Sequence, residues 1–308
     1  MRIVPRDRYT VSLAPSHRAA CRVRDGARIT AQCPSAFGGV IDAEGRADKP
    51  VTPGNPMSGP IAVKGLHAGD TLAVRIESIA PVGYGRAQDV VYRQGGPNGR
   101  RLEFLGGVRA VLDPSIGCLG VAPRRETDAT FNDTCGSHGG NMDCRDWAPG
   151  ATAFFRVQRD GANLGVGDVH WAMGGGEVGG QGIEGAADVT LRLKRAPGAA
   201  AGGAEWPWLV RDGWLMTLAG HPDFKTAQRI AYEEMMTLTR NLFHLERSEV
   251  QARISCAGHL RVCQACCPVI TLRMCLPLEV LGTNSRAFLR RMLTSPGRSP
   301  APPRCRPA

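Results

Sequence analysis

The sequence predicts a mainly β (α+β) fold, with a few helices confined to the C-terminal third. Three observations carry that prediction. Glycine (39) and proline (22) are abundant in the 308 residues, which favours short strands and turns over a helical bundle. Segments in the first two thirds alternate apolar and polar residues with period two. After about residue 203 the period changes to three and four, the spacing of an amphipathic helix.

The elements follow in chain order. Residues 55–60, Asn-Pro-Met-Ser-Gly-Pro, read as a rigid turn, because proline fixes φ and glycine opens the left-handed region. Residues 71–77 read as a half-buried strand, with Leu72, Val74 and Ile76 on one face and Arg75 and Glu77 on the other. Residues 151–157 are a second strand candidate, and 188–194 a third, with Val189, Leu191 and Leu193 facing inward. Between these two, residues 161–182 are dense in glycine, so the backbone there can approach a ligand closely. The small-residue run 196–203 is a surface loop or short linker. Asp223 can N-cap a helix in which Ala227, Ile230, Ala231, Met235, Leu238 and Leu242 recur at helical steps. A second helix is expected over Arg247–Ala257, then strands near 261–263 and 269–274. This divides the chain into a β-rich body (1–195) that carries the candidate site, a helix-containing part of the same catalytic unit (204–281), and a basic, Pro- and Arg-rich tail (282–308) expected to be disordered.

Composition removes several function classes. No apolar run approaches the ~18 residues of a membrane span, and residues 1–15 lack a hydrophobic signal core, so a cytoplasmic setting is expected. The eleven cysteines are odd in number and irregularly spaced, which fits reduced thiols better than a disulfide framework. The net charge of +10 invites a nucleic-acid reading, but from residue 251 onward nine arginines face one acid, Glu279. The excess charge therefore sits in the C-terminal stretch, without interleaved aromatics, and speaks against a nucleic-acid partner. Lysine is nearly absent beside arginine, which says little about function.

The residues with chemistry cluster in two glycine-rich segments. His138-Gly139-Gly140-Asn141-Met142-Asp143 places an imidazole and a carboxylate around a glycine pair, and Gly167-Asp168-Val169-His170 does so again, followed by Glu177 and Glu184. There are seven histidines in the chain, and neutral imidazole with ionised carboxylate is a donor set for a divalent metal. If 168–170 is extended, Asp168 and His170 share a face. They can be two ligands of one metal, or a ligand histidine oriented by an acid; an unconnected surface acid and structural histidine is the bland alternative. Glu177, within Gly174-Gly175-Gly176-Glu177, can serve as a general base toward water or stand solvated. Cys263-Gln264-Ala265-Cys266-Cys267 contains a C-x-x-C without the second pair that a zinc ribbon needs. Buried free thiols are the simpler reading. No G-x-S-x-G is present, which argues against a serine nucleophile.

Four ordered segments then identify a resemblance. Residues 55–61 with 69–72, the stretch Pro114-Ser115-Ile116-Gly117-Cys118-Leu119-Gly120-Val121-Ala122-Pro123, the 138–143 segment, and 167–184 are together similar to the acetamidase/formamidase family. Residues 260–264 resemble its C-terminal region. The resemblance implies sandwich- and barrel-like β pieces, a homo-oligomer, and hydrolysis of short amides to carboxylate and ammonia. It implies a divalent metal, zinc first, with calcium the candidate for a second, structural ion. By that likeness His138, Asp143, Asp168, His170 and Glu184 surround the metal, Glu177 and His170 are catalytic, and Asn141 and Trp171 meet the substrate. The chain also departs from the family: Gly175, Gln32 and Ser35 stand where acids are expected, and Trp171 replaces a small residue. Those losses motivate a rival reading, a family member that binds a metal or small ligand without amide turnover.

Overall fold

A computed structural model describes residues 1–95, 99, 101–104, 109–196 and 203–282. Its architecture is mostly β, with two α-helices near the C-terminus, as the sequence predicts. Nineteen strands among the described residues join in one curled, hydrogen-bonded sheet. The expected tail, 282–308, lies outside the described residues apart from Gly282, as does most of the 196–203 run.

The predicted strands are present, and most are longer than their sequence signals. The segment expected over 71–77 runs on as Thr71–Ala87, with Leu72, Val74 and Ile76 fully buried and Arg75 exposed. The one expected over 188–194 extends to Ile183–Arg195 and pairs antiparallel with both Arg28–Cys33 and Thr71–Ala87. Pairing on both sides supplies the backbone partners that local patterning does not encode. Thr152–Arg156 matches the strand expected over 151–157. The turn expected over 55–60 is shorter than predicted: Met57–Val63 is a fully buried strand, and only Asn55 and Pro56 precede it.

The glycine-dense stretch holds the central strand, Leu164–Ala172, which is buried along nearly its whole length. It pairs antiparallel with Ser115–Gly120, Met57–Val63 and Ile183–Arg195. Its glycines serve close packing. A Cβ on Gly165 would lie 3.0 Å from Met57 Cε, and one on Gly167 would strike the Pro56 carbonyl oxygen. Ser115–Gly120 also pairs with Gly139–Asn141, so the two motif segments flank one shared strand.

Helix α1, Phe224–Phe243, begins where Asp223 Oδ1 accepts the Thr226 N–H at 2.8 Å, an N-cap that satisfies an orphan donor. Ala227, Ala231, Met235, Leu238 and Leu242 form its buried stripe, while Ile230 is half-buried. Helix α2 spans Arg247–Ala257 as predicted; its capping box joins Glu246 and Glu249. Helix α1 packs on Trp214–His221 and Ile270–Pro277, and α2 packs on α1 and Ile270–Pro277, in a core separate from the one beneath the central strand. Ile270–Pro277 pairs in turn with His259–Gln264, and the turn between them reaches back toward the central strand.

Candidate active site

Five side chains from three places in the chain converge on one point. His170 Nε2 lies 3.2 Å from Glu184 Oε1 and 3.7 Å from both Asp143 Oδ1 and Glu177 Oε1, with Asp168 Oδ1 at 3.8 Å. All five side chains are at least nine-tenths buried. His170 and Glu184 are direct cross-strand partners, at a bulge between Leu164–Ala172 and Ile183–Arg195. Bulges commonly re-aim a side chain in this way.

Three of the four acids stand on left-handed backbone: Asp143 at φ 48°, Asp168 at φ 54° and Glu177 at φ 45°. For a residue with a Cβ this costs on the order of 1 kcal/mol each. The surroundings hold them there. Met142 and Asp143 both donate to the Gly117 carbonyl, and Glu177 sits in a turn closed by Glu177 N–H to Gly174 O and Gly180 N–H to Glu177 O. Ala265 N–H donates to Gly176 O at 2.9 Å, where Gly176 and Gln264 form a parallel bridge. Thr271 Oγ1 donates to Met142 O at 2.8 Å. The C-terminal hairpin thus grips the loops of both Glu177 and Asp143.

Burial and mutual repulsion set the charge. Burial first, then Asp168, pushes the Asp143 carboxyl well above the carboxylate range. Burial and then Glu184 raise Asp168 to about 8, and burial raises Glu177. Burial alone would lower His170, but Glu184 and then Asp168 and Asp143 lift it well above the ordinary imidazole value. The pocket therefore takes up positive charge, as protons or as a cation. The Asn141 amide, with its nitrogen turned to the acids, donates to Asp168 Oδ2 at 3.1 Å and Asp143 Oδ1 at 3.0 Å.

The donor set fits a divalent ion. Asp143, Asp168 and His170 form one group of converging ligand atoms, and His170, Glu177 and Glu184 another, each within 4.8 Å. Glu184 Oε2 and His170 Nδ1 are buried without a hydrogen-bond partner. A cavity of about 230 Å³ opens onto Asp143, Asp168, Glu177 and Glu184, bounded by Ala36, Phe37, Gly54 and Asn55. Its lining among the described residues includes no lysine or arginine.

Two expected site residues lie elsewhere. His138 belongs to neither group of converging atoms; its Nε2 is 3.0 Å from Thr130 Oγ1, and burial depresses it to about 4. Trp171, the neighbour of His170 on its strand, points to the other face, as alternation requires. It packs with Leu102 and Ile183 and donates from Nε1 to the Ala186 carbonyl at 3.2 Å. Asn141, by contrast, lines the cavity. Ser35 is buried and closes its own turn through Gly38 O, while the adjacent Ala36 and Phe37 reach the cavity. A side chain at Gly175 would meet nothing within 4 Å.

Sequence reasoning did not single out Gly117, Cys118 or Cys267. A Cβ on Gly117 would lie 2.5 Å from Asp168 Oδ2. Cys118 Sγ approaches Asp168 Oδ2 at 3.5 Å, and Cys267 lines the cavity. The register of Cys118 opposite Asn141 and Gly167 is the signal that places the first two.

Comparison with known proteins finds similarity to acetamidases and formamidases. The acetamidase/formamidase family model matches residues 130–203, the stretch that supplies Asp143, Asp168, His170, Glu177 and Glu184. A crystal structure of a predicted acetamidase/formamidase from Thermoanaerobacter tengcongensis superposes with a TM-score of 0.80 at 27% identity, covering 91% of this chain and 96% of that one. An acetamidase from Bacillus halodurans gives 0.80 at 28% identity, covering 91% and 100%. An acetamidase from Yersinia enterocolitica, at 24% identity and TM-score 0.77 over 90% and 91% of the two chains, shares the fold. No curated protein sequence matches the chain.

Proposed function

We propose that this chain, an amidase of the acetamidase/formamidase family, hydrolyses short-chain amides of the formamide and acetamide type to carboxylate and ammonia. The observation that carries the proposal is a buried imidazole ringed by four carboxylates that themselves line a small cavity.

Asp143, Asp168, His170 and Glu184 would hold a divalent ion, with zinc as the leading candidate. Bound there, such an ion supplies Lewis-acid polarisation of the amide carbonyl and makes water easier to deprotonate. The protein's own groups do the rest. Glu177, whose affinity for a proton is raised by burial, takes the proton from the attacking water and delivers it to the departing nitrogen. Asn141 donates to Asp143 and Asp168 and so orients both carboxylates. The small residues Ala36 and Gly54, with Phe37, bound the space left for an acyl group. The body 1–195 and the helix-containing part 204–281 act as one catalytic unit, because the C-terminal hairpin holds the Glu177 loop. A cytoplasmic homo-oligomer is the setting that the family resemblance implies; no described helix is long and apolar enough to cross a membrane.

The test combines metal analysis with turnover. Ammonia release from formamide and acetamide should depend on roughly one bound metal per chain, cease with chelator, and be lost in His170→Ala. A folded, metal-loaded protein inactive on every short amide would favour the rival reading motivated by Gly175, Gln32 and Ser35.

A further inference from the structure

The C-x-x-C of the sequence is divided by the fold. Cys263 is fully buried on the core side, where Arg273 Nη1 donates to its Sγ at 3.4 Å. Cys266 and Cys267 instead turn outward together; Cys266 is exposed and Cys267 half-buried. Their sulfurs are 3.8 Å apart. The amide N–H of Cys267 donates to Gln264 Oε1 at 3.0 Å, and Cys266 Sγ lies 3.6 Å from the same oxygen. Gln264 is itself buried and donates from Nε2 to Val269 O. One buried amide oxygen therefore fixes the Cys267 backbone and the Cys266 thiol before anything binds, which lowers the ordering cost of a shared ligand.

We propose that Cys266 and Cys267 form a dithiol site for a thiophilic centre that takes two sulfurs, with a trivalent arsenical as its probe. Sulfurs 3.8 Å apart subtend roughly 110° at a centre ~2.3 Å from each, taking the zinc–thiolate length as a guide. That is the bite of a tetrahedral or pyramidal soft centre. The site opens where it matters: Cys267 lines the acidic cavity, and Cys266 Sγ donates to Glu177 Oε2 at 3.5 Å. An occupant bridging the two sulfurs removes that hydrogen bond and stands beside Glu177. The chemistry balances without an oxidant. An arylarsenoxide and two thiols give two As–S bonds, the two thiol protons leave with the arsenoxide oxygen as water, and arsenic stays trivalent.

The experiment uses the full-length protein and phenylarsine oxide. After one equivalent is added to the native protein, free thiols are alkylated with iodoacetamide and the tryptic peptide 262–273 is weighed. One arsenic per chain is expected, with labelling of Cys266 and Cys267 reduced at least tenfold and that of Cys256 unchanged. Cys266→Ser and Cys267→Ser should each raise the half-saturating concentration at least a hundredfold. A second measurement needs no variant: the wild-type adduct should survive excess 2-mercaptoethanol and be stripped by 2,3-dimercaptopropanol. Attachment at Cys256, removal by the monothiol, or unchanged binding in Cys266→Ser would overturn the proposal. The readout is mass, so its outcome is independent of whether the protein hydrolyses amides.

Discussion

Gly117 and Asp168 share a space that holds only one of their side chains. A Cβ on Gly117 would come within 2.5 Å of Asp168 Oδ2 and 2.7 Å of Asp143 Oδ1, and both acids are pinned by left-handed backbone. Gly117→Ala should therefore displace two candidate ligands at once. Overpacking of this kind costs about 1–3 kcal/mol. We expect a folded protein of lower melting temperature that retains less than a tenth of the wild-type metal, measured by elemental analysis, and a matching fall in ammonia release. Full metal content in this variant would show that the acids can move aside.

Glu177→Gln separates base from ligand. The substitution keeps the side-chain shape and removes the proton acceptor. Loss of a general base typically costs 10²–10⁴-fold in rate, so kcat should fall by at least a hundredfold with bound metal unchanged. Metal loss in parallel with activity would place Glu177 among the ligands instead.

Removing the metal should make stability pH-dependent in a definite direction. Without a cation, Asp143, Asp168 and Glu177 have folded-state pKa values above their unfolded ones, Asp168 reaching about 8, and His170 is raised as well. The folded apo-protein then binds more protons than the unfolded chain, so its stability falls as pH rises from about 4 towards 8. Urea unfolding of the chelated protein at pH 5.5 and 7.5 should show the drop, and metal-loaded protein should show much less of it. A chelated protein more stable at the higher pH would contradict the charge assignment.

His138 has the opposite sense. Burial lowers its pKa to about 4, so the unfolded chain binds the extra proton between about pH 6.5 and 4, and stability is lost as pH falls through that window. From pH 7.5 to 5 the loss attributable to this residue is about 2 kcal/mol. His138→Gln should flatten that part of the profile and leave bound metal within twofold of wild type. Loss of metal in this variant would return His138 to the ligand set.

Trp171→Phe tests the aromatic beside the site. It deletes the hydrogen bond to Ala186 O, worth about 1 kcal/mol, and leaves the cavity walls in place. Melting temperature should drop by a few degrees while KM stays within twofold. A large KM change with no loss of stability would put Trp171 against the substrate.

The sequence was informative wherever a signal is local. Leu72, Val74 and Ile76 alternate, the 3.6 period marks α1, and the acid and imidazole of 168–170 announce themselves by proximity. What it concealed depends on distant partners. Leu164–Ala172 reads only as part of a glycine-dense stretch, because its glycines are there to admit Met57 and the Pro56 carbonyl from a distant part of the chain. Cys266 reaches Glu177 across 89 positions. Trp171 looks like a site residue because it adjoins His170, yet side-chain direction in a strand reverses at each residue; His138 stands in the turn between Cys135–Gly136 and Gly139–Asn141, where Thr130 engages its Nε2. The ligand-like groups on left-handed backbone are likewise invisible to periodicity, since no pattern of types encodes φ.

The grip of the C-terminal hairpin on the Gly176 backbone has an evolutionary reach. The groups proposed to hold the ion come from one continuous portion of the chain, but the loop bearing Glu177 is steadied by Gln264 and Ala265, which lie beyond both helices. Changes in that distant turn can shift the timing and strength of proton transfer while the ion-holding residues stay untouched. Descendants of this fold thus inherit, outside the ion-holding segment, positions that adjust the Glu177 loop directly and the Asp143 loop through Thr271.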